Sequence, residues 1–151
     1  MSNNCYFELG AKTKDKLVRI NNVVFDMCGK NSKIIIGDNL FFGSGYVTLL
    51  DNSSLTIGDD CLFSSELSIR TGDGHKIYDL NKNEQIPDCG NIIIGDRVWI
   101  GLGATLLKNA GIASDSIVGT SSVVAKKFSE TNIAIAGNPA RIIKTNIAWE
   151  K

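Results

Sequence analysis

An all-β fold, short parallel strands wound into a triangular prism, is what this chain of 151 residues predicts. Three observations predict it. The composition is aliphatic, Gly-rich and Pro-poor: 43% hydrophobic but 7% aromatic, with 19 Ile, 15 Gly and 2 Pro. Such a chain suits many buried strands joined by tight turns. An aliphatic residue recurs at every sixth position over long blocks, and that recurrence is interrupted by a polar segment between 70 and 91.

The length allows one domain with its own core and is too short for two. Sixteen basic residues balance sixteen acidic ones, so the net charge is zero. That argues against a general nucleic-acid binder, which carries a basic surplus. An ordinary apolar fraction without net charge also excludes disorder.

The period is clearest from Ile94. Ile94-Gly-Asp-Arg-Val-Trp, Ile100-Gly-Leu-Gly-Ala-Thr, Leu106-Leu-Lys-Asn-Ala-Gly, Ile112-Ala-Ser-Asp-Ser-Ile, Val118-Gly-Thr-Ser-Ser-Val and Val124-Ala-Lys-Lys-Phe-Ser are six consecutive hexads. Each opens on an aliphatic residue, and Gly or Ala follows in five of the six. The fifth position holds Val98, Ala104, Ala110, Ser116, Ser122 and Phe128, small or moderate in all but the last. Upstream, Ile36-Gly-Asp-Asn-Leu-Phe and Phe42-Gly-Ser-Gly-Tyr-Val lead to Thr48 in register. After a three-residue slip come Ile57-Gly-Asp-Asp-Cys-Leu, Phe63-Ser-Ser-Glu-Leu-Ser and Ile69. Run backwards, the register places Val24 and Val18 on the aliphatic position, with Lys30 as the exception.

A helix or an alternating strand has no six-residue period. A strand that turns a corner every six residues does, and three such sides close a coil of about 18 residues. The aliphatic side chain then points inward and stacks on its counterparts in coils about 4.8 Å above and below. Corners such as Gly37-Asp38-Asn39, Gly58-Asp59-Asp60 and Gly95-Asp96-Arg97 supply positive φ or side-chain-bonded turns. One coil buries little, so the stack makes the core. About five to six coils fit between Val18 and Val124, on the order of 25 Å in height.

The pattern [Ile/Leu/Val]-Gly-x-x-small-x resembles the hexapeptide repeat of the left-handed parallel β-helix acyltransferases, over about 125 of the 151 residues. The left hand of the coil is implied by the resemblance alone and departs from the right-handed crossover rule. The expected organisation is an N-terminal cap segment at 1–17, a repeat prism at 18–129 with an extruded loop at 70–91, and a closing segment at 130–151.

A stacked coil tolerates an excursion only at a corner, so 70–91 should loop out of the prism, and long loops in compact repeat folds are often functional. This segment carries the single histidine, His75, between Gly74 and Lys76. A neutral imidazole suits a general base that takes a proton from a hydroxyl; a solvated loop residue is the plainer reading. The run Ser68-Ile-Arg-Thr-Gly-Asp-Gly-His-Lys-Ile-Tyr-Asp, followed by Ile94-Gly-Asp-Arg-Val-Trp-Ile-Gly, resembles the polysaccharide and sialic-acid O-acetyltransferase branch of that family. The resemblance puts the catalytic base at His75 and Trp99 beside the acyl-transfer centre, with Arg70, Asp73 and Tyr78 as acceptor-side candidates. A residue covering a subunit contact is the alternative reading of Trp99. Asp73, Asp79, Glu66 or a backbone carbonyl could orient the imidazole.

The neutral total conceals an asymmetry. Residues 126–151 hold five basic and two acidic side chains, and the rest hold 11 basic and 14 acidic, an acidic body and a basic end. Ala136-Gly-Asn-Pro-Ala-Arg-Ile-Ile-Lys resembles the family's Gly-Asn-Pro-Ala closing motif. The resemblance implies that acetyl-CoA, the acyl donor, sets its phosphates near Arg141 and Lys144, with Lys126 or Lys127 as further candidates. It runs the pantetheine arm past Gly103, Ala104, Thr120 and Ser121 in a groove between subunits. A homotrimer with shared sites is implied too, and aromatic residues on exposed faces (Phe41, Phe42, Tyr46, Phe63 and Trp99) would be awkward in a monomer.

The expected reaction is direct acetyl transfer from acetyl-CoA to a hydroxyl of a sugar or cell-surface polysaccharide. N-acetylation of an amino sugar nucleotide or small xenobiotic, and a non-catalytic β-helix scaffold, are the alternatives. No metal is expected, since one His without an acidic cluster is a poor ligand set. Neither a secretory signal nor a spanning segment is visible. Cys5, Cys28, Cys61 and Cys89 form no CxxC pair. They read as reduced thiols, so a cytoplasmic protein without nucleic-acid partners is expected.

Overall fold

The computed structural model describes residues 4–10 and 17–151. The cap expected at 1–17 therefore lies partly outside the described residues. Among the described residues there are eighteen strands and no helix, so none of them forms a helix long and apolar enough to cross a membrane.

The strands lie on three faces. The first is one parallel sheet of β1 (Tyr6–Leu9), β3 (Lys33–Ile36), β5 (Ser54–Ile57), β10 (Ile92–Ile94), β13 (Gly111–Ile112) and β16 (Lys127–Phe128). The second contains β6 (Leu62–Phe63), β11 (Trp99–Ile100), β14 (Ile117–Val118) and β17 (Ile133–Gly137), and the third β7 (Leu67–Arg70), β12 (Thr105–Leu106) and β15 (Val123–Val124). Two nine-residue strands, β2 (Arg19–Met27) and β4 (Phe41–Leu49), pair with each other, and β4 bends across a corner to pair with both β6 and β7. The ladders are parallel except where β18 (Ala140–Thr145) folds back on β17, and where β8 (Ile77–Asp79) pairs with β9 (Glu84–Ile86) outside the prism.

The hexad explains the core. First-position residues Ile94, Ile100, Leu106, Ile112, Val118 and Val124 are all buried. They stack in register, Ile36 on Ile57 on Ile94 on Ile112, and Phe63 on Ile100 on Val118. The fifth position is small because it also points inward, two residues before the next first position: Val98, Ala104, Ala110, Ser116 and Ser122 are buried as well. Phe128 sits instead in register with Ile112, where the last coil shortens. Phe42 and Phe63 occupy first positions, pack edge-on at 5.3 Å and lie in the interior. They are not the exposed aromatics the sequence suggested; Phe41, Tyr46 and Trp99 do face outward.

Upstream the register departs from the expected one. Val18 packs on the core as expected, but Val24 is exposed beside Tyr46, and Ile20 takes the inward place in register with Phe42. Val23, Phe25 and Met27 pack on the core instead. Within β2 the chain steps three residues from the inward Ile20 to the inward Val23, which shifts the alternation by one. The third-face residue inside β4 is Val47 rather than Thr48 for the same reason.

The corners carry the expected positive φ and side-chain bonds, each on its own residue. Positive φ falls on the residue two past the glycine, at Asn39, Asp60 and Arg97, and recurs lower in the same column at Asp115 and Asn132. Asn and Asp supply most such positions because their short polar side chains tolerate this conformation. Gly37, Gly58 and Gly95 serve close approach instead. A Cβ on Gly58 would lie 2.6 Å from the Gly95 carbonyl carbon, and one on Gly37 2.6 Å from that of Gly58. The Asp between ties coil to coil: Asp59 accepts the Asp38 N–H at 2.7 Å, and Asp96 that of Asp59 at 2.8 Å.

Candidate active site

The excursion leaves the prism at the corner between the third and first faces. Its root is buried and its tip is not. Thr71 is fully buried, shares a 2.6 Å hydroxyl contact with Ser53 and accepts the Leu50 N–H at 3.0 Å. The Gly72–Cys89 bridge, Asp73 N–H to the Asp88 carbonyl at 3.0 Å and Gly90 N–H to the Thr71 carbonyl at 2.8 Å zip the two limbs together. Lys108, from the corner one coil below, clamps both limbs: its ammonium pairs with the Asp73 carboxylate and donates to the Pro87 carbonyl at 2.8 Å. Beyond this root β8 and β9 form an exposed hairpin. Asp79 caps its turn by accepting the N–H groups of Asn81 and Lys82 at 2.9 and 3.3 Å.

His75 follows Gly74, whose φ of 78° favours glycine, and stands exposed just past the clamp. Arg70 reaches back along the arm, a guanidinium nitrogen lying 4.0 Å from where a Gly74 Cβ would be. Tyr78 is exposed on β8 opposite Gln85. Two of the carboxylates that could have oriented the imidazole are thus committed elsewhere, Asp73 to Lys108 and Asp79 to its own turn. Glu66 is an exposed corner residue with positive φ, between the second and third faces.

Trp99 lies on a different side of the molecule. It is the outward residue of β11 on the second face, between Leu62 and Ile117 in register, and is 37% exposed. The chain after β18 returns across this face. Ile147 exchanges hydrogen bonds with Asn132, through its N–H at 3.0 Å and its carbonyl at 3.2 Å. Trp149 packs on Trp99 with ring centroids 6.1 Å apart and donates its indole N–H to the Arg97 carbonyl at 2.9 Å. Lys151 donates to the carbonyls of Asn39 at 2.7 Å and Cys61 at 3.3 Å, and its burial pulls the ammonium below its usual pKa.

The donor-side candidates divide three ways. Gly103 and Ala104 stack above Thr120 and Ser121 at the corner between the second and third faces. There the Ser121 N–H binds the Leu102 carbonyl at 2.8 Å, and the Ser121 hydroxyl lies 3.4 Å from where a Gly103 Cβ would stand. Ala104 points inward, so only its backbone faces out. Lys126 lies over the Phe128 ring at 5.0 Å, and Lys127 joins Gly111 and Phe128 in a first-face groove of about 680 Å³. Arg141 and Lys144 are exposed on β18. The structure therefore gathers Arg70, Asp73 and His75 at one corner and Gly103, Ala104, Thr120 and Ser121 at another, with Trp99 outward on the second face.

All four cysteines are free. Burial is the leading cause that raises the Cys28 and Cys89 thiols, and it pushes Cys61 up to about 12. These three are thereby held as thiols rather than reactive thiolates.

No family model matches the chain. It is 38% identical over 122 residues to a polysialic acid O-acetyltransferase of Escherichia coli O1:K1, covering 81% of this chain and 39% of that protein. It is 40% identical over 107 residues to a polysialic acid O-acetyltransferase of Neisseria meningitidis, covering 71% and 50%. The chain thus spans half or less of the length of these relatives. Among solved structures, the polySia-specific acetyltransferase NeuO superposes with a TM-score of 0.64 at 26% identity, covering 97% of this chain and 85% of that one. A hexapeptide-repeat acetyltransferase of Vibrio cholerae complexed with acetyl-CoA gives 0.61 at 28% identity, covering 80% and 64%. The chain belongs to the hexapeptide-repeat acyltransferase family. Its prism is the left-handed parallel β-helix of that family.

As a hexapeptide-repeat protein the chain carries two site features that its repeat pattern did not reveal. Lys108 is a corner lysine that reads as solvated; its partner Asp73 lies 35 residues away. Trp149 lies beyond the last hexad and meets a carbonyl 52 residues earlier. Neither pairing has a periodic signature.

Proposed function

We propose that this protein is an acetyl-CoA-dependent O-acetyltransferase whose acceptor is a hydroxyl of a sialic-acid-type or similar cell-surface polysaccharide. The observation that carries the reading is the rooted arm: the single histidine is presented to solvent, immediately beyond a clamp, on the segment that interrupts the coils. The two polysialic acid O-acetyltransferases at 38 and 40% identity support the acceptor class, and the acetyl-CoA complex of a family member supports the donor.

In this reading His75 takes the acceptor hydroxyl proton as the oxygen attacks the thioester carbonyl carbon. The C–S bond breaks as the ester forms, and the imidazolium returns the proton to the departing CoA sulfur. The Trp99 indole N–H, or a backbone N–H, holds the developing oxyanion. Arg70, Asp73 and Tyr78 line the acceptor side. Gly103, Ala104, Thr120 and Ser121 flank the pantetheine, and Lys126, Lys127, Arg141 and Lys144 meet the CoA phosphates. Spread over two corners and a face of one prism, these groups meet only if copies of the chain contribute to one another's sites. That distribution supports a homotrimer with shared sites. We place the reaction in the cytoplasm, where thiols such as the four free cysteines stay reduced.

The test is thiol release from acetyl-CoA against a panel of oligosialic acids, neutral glycans and amino sugars. Release with a hydroxylated glycan, lost in His75→Ala, is the expected result. Release that is undiminished in His75→Ala overturns the role of His75, and no release with any acceptor, together with no CoA binding, overturns the reading as a whole.

A further inference from the structure

The chain end forms a strap across the second face. It starts at the Asn132–Ile147 hydrogen-bond pair, passes Arg97 and ends with the Lys151 ammonium between the carbonyls of Asn39 and Cys61. All these contacts lie along one corner column, the one whose positive-φ residues are Asn39, Asp60, Arg97, Asp115 and Asn132. Midway along it Trp149 is held by its indole N–H to the Arg97 carbonyl, two residues before Trp99, and lays its ring against that of Trp99 at an interplanar angle of 47°.

Trp99 needs such a neighbour. It is the outward residue of a two-residue strand, and its register partners Leu62 and Ile117 offer aliphatic contacts above and below. Aliphatic walls confine an indole without fixing its tilt. A second ring at a fixed angle, itself tied by a hydrogen bond to the same segment of backbone, does fix it. We propose that Trp149 is a positioning residue for Trp99, and that the strap sets the direction of the Trp99 indole at the acyl-transfer centre. The inference rests on the reading of Trp99 given above. A misdirected group costs turnover more than ground-state affinity.

The chain has two tryptophans, Trp99 and Trp149, so Trp149→Phe and Trp149→Ala each leave Trp99 as the sole tryptophan, read by excitation beyond the tyrosine band. In Trp149→Ala we expect kcat with acetyl-CoA and oligosialic acid to fall about tenfold, with KM for acetyl-CoA changed less than about twofold. We also expect Trp99 emission anisotropy to fall below that of Trp149→Phe. Trp149→Phe, which keeps a ring in place, should recover most of the turnover. Lys151→Met frees the end of the strap while leaving both rings; it should lose turnover to a smaller degree, and it carries the kinetic test if Trp149→Ala does not fold. Parental kinetics in Trp149→Ala, or turnover falling only in proportion to the folded fraction, would overturn the proposal while leaving the acetyltransferase reading intact. If the parent protein releases no thiol, that reading fails, and the strap is judged by the optical comparison. Equal Trp99 anisotropy in the Phe and Ala variants then overturns it.

Discussion

The prism and the arm are made by opposite rules. In the prism every coil repeats its neighbour, so each inward side chain meets a counterpart one strand away, and each corner passes a hydrogen bond to the next. In the arm nothing repeats. Residues 73–87 are exposed but for Asp79, and the segment is held by its root: a buried Thr71, a short bridge and the Lys108 clamp. The difference teaches how a repeat protein can carry chemistry. Stacking makes a rigid body of great redundancy, and a single departure from the stack, anchored at its base, holds a functional group at a defined place without disturbing the core. The same division assigns stability to one set of residues and activity to another, which makes it testable by substitution.

The largest effect expected is on stability, from the prism. Phe63→Ala removes a fully buried ring packed against Phe42 and should cost about 3–5 kcal/mol in denaturant unfolding. A cost below about 1 kcal/mol would mean that the interior collapses around the gap and is less rigid than the stacking implies. His75→Ala should do the reverse: turnover about 10²-fold lower, with the unfolding midpoint unchanged. A large stability loss there would erase the distinction between arm and prism.

A third expectation concerns pH. Cys61 is buried at a fifth position, so its folded pKa is raised to about 12 from about 8.5 in the unfolded chain. Between these values the unfolded state has lost a proton that the folded state keeps. Folding stability is therefore fully present below the unfolded pKa and falls by about 1.4 kcal/mol per pH unit above it. Cys61→Val, matching Val98 in the next coil, should remove that slope; urea titrations at successive pH values would show it. The smallest effect is expected at the boundary between the regions. Lys108→Met breaks the clamp on Asp73 and Pro87 at a partly exposed site, and should lower stability by less than about 1 kcal/mol. Turnover should nonetheless fall several-fold. If stability and turnover move together, the arm is part of the core after all.

The agreement between sequence and structure follows the same division. First-position aliphatics and fifth-position small residues carry their role in their spacing, because each is repeated at an equivalent place in several coils. The segment 70–91 was legible as an excursion because it interrupts the period, and His75 stood out within it. The upstream register was not legible. The bend within β2 steps three residues from Ile20 to Val23, so Val24 turns outward where a six-residue count points it inward. Nor did the corners show which residue takes positive φ. Glycine draws attention there, yet at Gly37, Gly58 and Gly95 it is the next coil's backbone that requires it, which only the stacked geometry reveals.

By itself, then, the sequence determined the coil, its core and the place where the chain leaves it, because those are set by short-range periodicity repeated along the chain. The tertiary structure alone decided which charged groups hold the arm, which carboxylates are already committed, and that the chain end returns to lay Trp149 on Trp99. The Lys108–Asp73, Trp149–Arg97 and Lys151–Asn39 contacts join residues 35 to 112 positions apart, each is made once, and a pattern made once leaves no period to read.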